Sequence, residues 1–248
     1  NNPLVLSIFQ GIFRNGSIAV PVLPTVTPHE LRYILSDTMA NGIITDSSGI
    51  TKVRTAAKGL KHVRWIWILG GEDDMSETIP EYGLEPQLDI GPKETLPRID
   101  EGDLALLLYT SGTTGKPKGA MLTHDNLLSN AIVLKDLWQF TQDDVLLHAL
   151  PVFHTHGLFV ATNTIMRAGA QMIFLPGFNA DQVISYLPDA TAMMGVPTFY
   201  TRLSTSRAST GKSLIICGSS SRALPRFSPR PMSVSKTAQA TASSNATG

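Results

Sequence analysis

The run Tyr109-Thr110-Ser111-Gly112-Thr113-Thr114-Gly115-Lys116-Pro117-Lys118-Gly119 gathers hydroxyls, glycines and two lysines behind the apolar stretch 104–108. Hydroxyls donate to phosphate oxygens, glycines let backbone N–H groups turn toward an anion, and lysines supply counter-charge. Such a run suits a polyphosphate. It is not a Walker A loop, which places a glycine five residues before its Gly-Lys-Ser/Thr end and a helix directly after. Here Pro117 splits the lysines, and Gly119-Ala120-Met121-Leu122-Thr123 reads as a second strand. The predicted geometry is strand, loop, strand. Gly, Ser, Thr and Pro are also ordinary turn residues, so the coupled lysines and the clusters downstream are what favour phosphate. Gly211-Lys212-Ser213 carries no such meaning, because Ser206 stands where a Walker A motif needs glycine.

A second cluster, Leu150-Pro151-Val152-Phe153-His154-Thr155-His156-Gly157-Leu158, falls where a strand gives way to a helix. In open α/β sheets ligands bind beyond the carboxyl ends of the strands, so this junction points at a cleft. His154 and His156 could bind metal in principle, but no Cys, Asp or Glu lies at a ligand spacing beside them, and no metal site is expected. A packed, hydrogen-bonded histidine at a helix entry is the plain alternative for either one. A third cluster, Met194-Gly195-Val196-Pro197-Thr198-Phe199-Tyr200-Thr201-Arg202-Leu203, reads as a strand end carrying aromatic groups and one arginine.

The elements that would position these clusters alternate along the chain. Strands are predicted over 18–23, 42–45, 64–69, 145–150, 171–175 and 191–196, and helices over 3–14, 50–60, 157–167 and 180–187, with a further one from His124 or Asp125 to Trp138. One helix start is well marked: Thr27 caps, Pro28 fits the first turn, Glu30 closes a capping box, and Leu31, Ile34 and Leu35 supply the apolar stripe. Residues 70–103 read as a polar surface excursion. The fold class is therefore α/β, with mainly parallel sheets flanked by helices.

Apolar content of 42% and a formal net charge of zero describe a globular chain without an overall field for nucleic acid or membrane. No apolar run approaches the roughly 18 residues of a membrane span, and the start lacks the order of a signal peptide. Cys217 is the single cysteine, so no disulfide framework is possible. The chain opens without Met on what reads as helix interior, and is expected to be a piece of a longer protein at both ends. From Ser204 to Gly248 there are six basic residues and no acidic one, which leaves 14 basic against 20 acidic in the rest.

In order and spacing, YTSGTTGKPKG, LLHALPVFHTHGLF and MMGVPTFYTRL resemble the adenylate-forming acyl-CoA synthetase superfamily, and most nearly its malonyl-CoA synthetases. The resemblance extends upstream through GIFRNGSIAVPVLPTVTPHELRYILSDT, and so covers about residues 4–203. The phosphate loop is specific to the superfamily; the HTHGLF and VPTFYTRL wording points to the malonate branch. In RNGSIAVPVLP the chain departs from relatives, which carry a glycine pair there.

The resemblance implies that 1–203 is part of the large N-terminal AMP-binding domain, and that ATP, Mg2+ and coenzyme A serve a two-step ligation of a small carboxylic acid. The acid first becomes an acyl-adenylate, and the coenzyme A thiolate then displaces AMP. It assigns Thr110, Ser111, Gly112, Thr113, Thr114, Gly115 and Lys118 to the nucleotide phosphates. It assigns His154, His156, Gly157 and Arg202 to the acyl pocket, with His156 as the catalytic residue that contacts the acyl group. The compartment stays open, with an intracellular one, cytoplasmic or mitochondrial, as the expectation. Two alternatives stand beside it: a non-catalytic nucleotide- or anion-binding module, and an adenylating ligase for another carboxylic or amino acid.

Family members continue with a run of the type MRLFxSGSAPL and later GHxILERYG, and neither appears here. Joining the third base of each codon to the first two of the next from Ile216 permits Met-Arg-Leu-Phe-Ile-Ser-Gly-Ser-Ala-Pro-Leu-Leu-Pro-Glu-Thr-His by Met232, and then a GHxILERYG segment by Gly248. The expectation is that 204–248 is read out of frame and disordered. The chain as written would then lack the adenine-binding run, the magnesium-binding Glu, the ribose-binding Asp and the small C-terminal domain, and would not be a competent ligase.

Overall fold

The computed structural model describes residues 2–75, 78–84, 95–110 and 117–205. They belong to two compact units, Phe9–His124 and Asn1–Ile8 with Asp125–Gly248.

In the Phe9–His124 unit, the helix begun at Leu4 (α1, Leu4–Arg14) ends, and α2 (Pro28–Asp37) follows. The predicted capping box is formed: Thr27 accepts from the Glu30 backbone N–H, and Glu30 accepts from the Thr27 N–H at 2.7 Å. These two bonds satisfy donors that a helix start leaves unpaired. Strands β1 (Gly42–Asp46), β2 (Trp65–Leu69) and β3 (Glu81–Gly83) pair in parallel in that order, with α3 (Ile50–Ala57) crossing between the first two. Leu31, Leu35, Val53, Ala56, Ala57, Val63, Ile66 and Ile68 form their common core. Strands β4 (Leu104–Thr110) and β5 (Lys118–Thr123) form the predicted antiparallel hairpin.

Two expectations need correction in this unit. The predicted strand over 18–23 is a single parallel bridge, in which Ala19 donates to the Ala105 carbonyl and accepts from the Leu107 N–H, each at 2.9 Å. Pro21 and Pro24 carry no N–H to extend a ladder. The stretch 70–103 was expected to be surface, yet it contains β3 and the buried residues Glu81 and Leu84. Glu81 is tolerated inside because Arg54 grips it through two bonds of 2.8 Å, the bidentate geometry that suits a carboxylate.

In the other unit, α4 (His124–Leu137) leads to β6 (Val145–His148), which lies between β7 (Gln171–Phe174) and β8 (Ala192–Met194) in a parallel sheet. Such a sheet is covered on both faces and so reads as apolar runs. Alternation along the central strand divides two cores: Leu146 and Leu150 pack with Ala161 and Ile165, and Leu147 and Ala149 with Val183, Leu187 and Leu203. The crossover after β6 is a π-turn over His156–Ala161 that continues into α5 (Thr162–Ala168), where a single regular helix was predicted. Helix α6 (Ala180–Tyr186) is capped by Asn179. The third cluster starts at the end of β8, at Met194, as expected, but from Pro197 onward it is helix α7 (Pro197–Thr205). Pro197 suits a first helical turn, and Phe199 and Leu203 share one face that packs on the α6 side.

Arg54→Met leaves Glu81 buried and unpaired, and is expected to lower stability by about 3 kcal/mol. Denaturant midpoints check this, and Arg54→Met with Glu81→Leu should recover most of the loss.

Candidate functional site

The antiparallel register sets Thr110 opposite Lys118, and the Thr110 hydroxyl lies 3.5 Å from the Lys118 carbonyl. Both residues are exposed, so a hydroxyl-bearing residue and a lysine are ladder partners at the end of the hairpin. Ser111, Gly112, Thr113, Thr114 and Gly115 connect these strands and lie outside the described residues. One step back from the hairpin end, Tyr109 donates its phenol to Asp37 at 2.5 Å, a length typical of a hydroxyl held by an ionised carboxylate. Burial, and then this carboxylate, push the Tyr109 phenol far above its usual value, so it stays a donor at neutral pH. Neither a role for Tyr109 nor the involvement of Asp37 was expected from the sequence.

In the other unit, the second cluster leaves the C-terminal end of β6 and re-enters the fold as the π-turn. The Leu158 N–H bonds the His154 carbonyl at 2.8 Å, which fixes the start of that turn. His154 is exposed with its ring 4.7 Å from that of Phe153, and His156 is half-buried. Gly157 is required by close approach: a Cβ there would sit 2.2 Å from the Pro151 carbonyl oxygen. Of the four residues assigned to the acyl pocket, Gly157 thus acts through backbone packing. Thr162 donates to the Leu158 carbonyl and Thr164 to the Val160 carbonyl, which pairs carbonyls inside the widened turn. π-Turns of this kind recur at functional sites. Arg202 is exposed on α7, next in sequence to buried Leu203.

His148, at the end of β6, was not singled out from the sequence. It is fully buried, its ring lies 5.1 Å from that of Phe174, and neither ring nitrogen has a hydrogen-bond partner among the described residues. Burial first, and then the charge on His156, lower its pKa to about 4. Burial also lowers His156 below the ordinary histidine value. Both rings are therefore held toward the neutral form at pH 7, in which an imidazole offers one donor and one acceptor. Among the described residues no three His, Cys, Asp or Glu gather to hold a metal ion.

The described residues define a mixed α/β protein, with a hydroxyl-and-lysine hairpin in one unit and a histidine-bearing strand–helix junction in the other. The family follows from comparison: the AMP-binding enzyme model matches residues 1–232, and the chain belongs to that family. This match includes the first part of the stretch expected to be out of frame.

The chain is 31% identical over 210 residues to the mitochondrial malonate–CoA ligase ACSF3 of Xenopus laevis, covering 82% of this chain and 34% of that one. It is 31% identical over 207 residues to the malonate–CoA ligase of Arabidopsis thaliana, covering 78% and 33%. ATP-bound MatB from Rhodopseudomonas palustris superposes with a TM-score of 0.73 at 38% identity, over 84% of this chain and 40% of that one. The chain spans about a third of the length of these curated relatives. Their likeness agrees with the α/β class read from the sequence.

Because the folded-state pKa of His148 lies below its ordinary value of 6.5, at about 4, the unfolded chain binds the proton more readily. Stability is then complete above pH 6.5 and is lost as pH falls through the window from 6.5 to about 4. The expected loss is about 3 kcal/mol at the acid end. His148→Phe should flatten this part of the pH–stability curve measured by denaturant unfolding, and an unchanged slope would reject the assignment.

Proposed function

We propose that the chain supplies the phosphate-gripping and acyl-binding parts of an AMP-forming acid–thiol ligase whose acid is a small dicarboxylate of the malonate type. The observation that carries this is the β4–β5 register, which puts Thr110 and Lys118 face to face at the ends of a glycine- and threonine-rich connection. Membership of the AMP-binding family supports it, as do relatives named as malonate–CoA ligases.

In the first step a substrate carboxylate oxygen bonds to the α-phosphorus of ATP while the bond to the bridging oxygen breaks and pyrophosphate departs. Charge builds on the leaving diphosphate, so the protein contributes positioning and electrostatic stabilisation. Thr110, Ser111, Thr113 and Thr114 donate from hydroxyls, Gly112 and Gly115 allow backbone approach, and Lys118 supplies the counter-charge. In the second step the coenzyme A sulfur bonds to the acyl carbon, and AMP leaves. Mg2+ would arrive with the nucleotide.

Malonate brings a second carboxylate that must meet a cation or a donor. His156, depressed by burial, offers a neutral N–H, whereas Arg202 is charged at any working pH. Charge balance therefore falls to Arg202, with His154 and His156 orienting the acyl group by hydrogen bonding.

The reading is tested by ATP–pyrophosphate exchange in the full-length protein that carries this chain. Malonate should be preferred to acetate, Lys118→Ala should lower exchange about 100-fold, and Arg202→Ala should raise the malonate KM about tenfold or more while sparing monocarboxylates. Equal turnover of acetate and malonate would overturn the substrate. We also infer that residues from about 204 onward are out of frame. Sequencing the coding DNA across codon 203 should reveal the phase change, and an uninterrupted frame with no relative in another phase would reject it.

A further inference from the structure

We propose that Tyr33, Asp37 and Tyr109 are positioning residues for the phosphate-binding hairpin, through which helix α2 holds both of its roots and sets the spacing of Thr110 and Lys118. This rests on the phosphate-binding role proposed for that hairpin above.

Tyr33 and Asp37 are four residues apart on α2, so they share one helix face. From that face the two reach different strands. The Tyr33 hydroxyl donates to the Pro117 carbonyl at 3.4 Å, and Asp37 accepts from the Tyr109 hydroxyl at 2.5 Å. Pro117 directly precedes Lys118, and Tyr109 directly precedes Thr110. Each contact therefore falls one residue from a member of the paired donor and cation.

Three further observations say that the contact is built in. Asp37 is the last residue of α2, and no basic residue occupies that turn. A carboxylate at a helix C-terminus opposes the helix dipole, and another anion in the same unit as a polyphosphate grip works against ligand binding, so stability or net charge alone would favour a neutral residue. Gly119 lies opposite Tyr109 in the ladder, and a Cβ there would sit 3.2 Å from the Tyr109 ring. The bare backbone lets that ring lie flat enough to reach Asp37. Finally, the ledge itself is rigid. Its first turn is closed by the capping box, Leu31, Ile34 and Leu35 are buried, and Arg32 donates to the Ala56 and Lys58 carbonyls at 2.9 and 2.7 Å. A site is most precise when its contact residues are held by such a supporting layer.

The test is calorimetric titration of the full chain with inorganic pyrophosphate, using Asp37→Asn, Tyr109→Phe, their double variant, Tyr33→Phe and Lys118→Ala. Asp37→Asn and Tyr109→Phe should each weaken binding about tenfold, the size of one lost charge-assisted hydrogen bond. The double variant should be no weaker than either single one, because both remove the same contact. Tyr33→Phe should cost about threefold, as fits a longer neutral bond. A spectroscopic readout separates positioning from folding: in Asp37→Asn one tyrosine should titrate closer to the ordinary value of about 10 in the ultraviolet, with an unchanged cooperative melt. If that titration moves while pyrophosphate affinity stays within about twofold of wild type and Lys118→Ala abolishes binding, the positioning role is wrong and the phosphate reading survives. If wild type does not bind pyrophosphate, or Lys118→Ala binds as wild type does, both fall.

Discussion

A leaving diphosphate concentrates negative charge within a few ångströms, and only groups already in place can stabilise it without reorganising at the moment of reaction. In the function proposed for this chain, the antiparallel pairing of β4 with β5 is what meets that constraint. It converts a linear string of hydroxyls, glycines and lysines into an end where Thr110 faces Lys118. The pairing depends on elements well away in sequence. Ala19 bridges to the strand beneath through Ala105 and Leu107, and Tyr109 is tied across 72 positions to Asp37.

The His154–Gly157 cluster, proposed to face the acyl group, is governed by packing instead. Gly157 lets the chain turn against the Pro151 carbonyl as it leaves β6, the π-turn widens the next few residues, and Thr162 and Thr164 pair carbonyls there. His156 thus begins a turn whose backbone is over-determined, a usual way of holding a side chain in a fixed direction. The same burial that orders this region keeps His148 neutral below the sheet end. One consequence is chemical: neutral imidazoles orient a carboxylate by hydrogen bonding, while full charge compensation needs a guanidinium or ammonium.

Much of this was legible in the sequence because it is local. The capping box from Thr27 to Glu30, the apolar stripe of α2 and the alternating strands and helices all follow from residue type and spacing over a few positions. The hairpin was legible for the same reason, from apolar runs on either side of a glycine-rich segment. What was missed needed distant partners. Strand β3 is three residues inside a polar stretch, and Glu81 is buried only because Arg54 reaches it from α3. The π-turn runs where Gly157 passes close to the Pro151 carbonyl, and a period of 3.6 cannot announce it. Helix α7 could have been read from Pro197 and the Phe199–Leu203 spacing, but its aromatic composition mimics a strand. The predicted strand over 18–23 failed for the opposite reason, since its apolar content outweighed Pro21 within it and Pro24 directly after it, which bar a ladder.

The most direct test is a crystal structure of the full-length protein with ATP. The account predicts β- and γ-phosphate oxygens within hydrogen-bonding distance, about 3 Å, of the Lys118 ammonium and the Thr110 hydroxyl, with the Tyr109–Asp37 contact retained. A triphosphate bound elsewhere, with Lys118 and Thr110 left facing solvent, would contradict it.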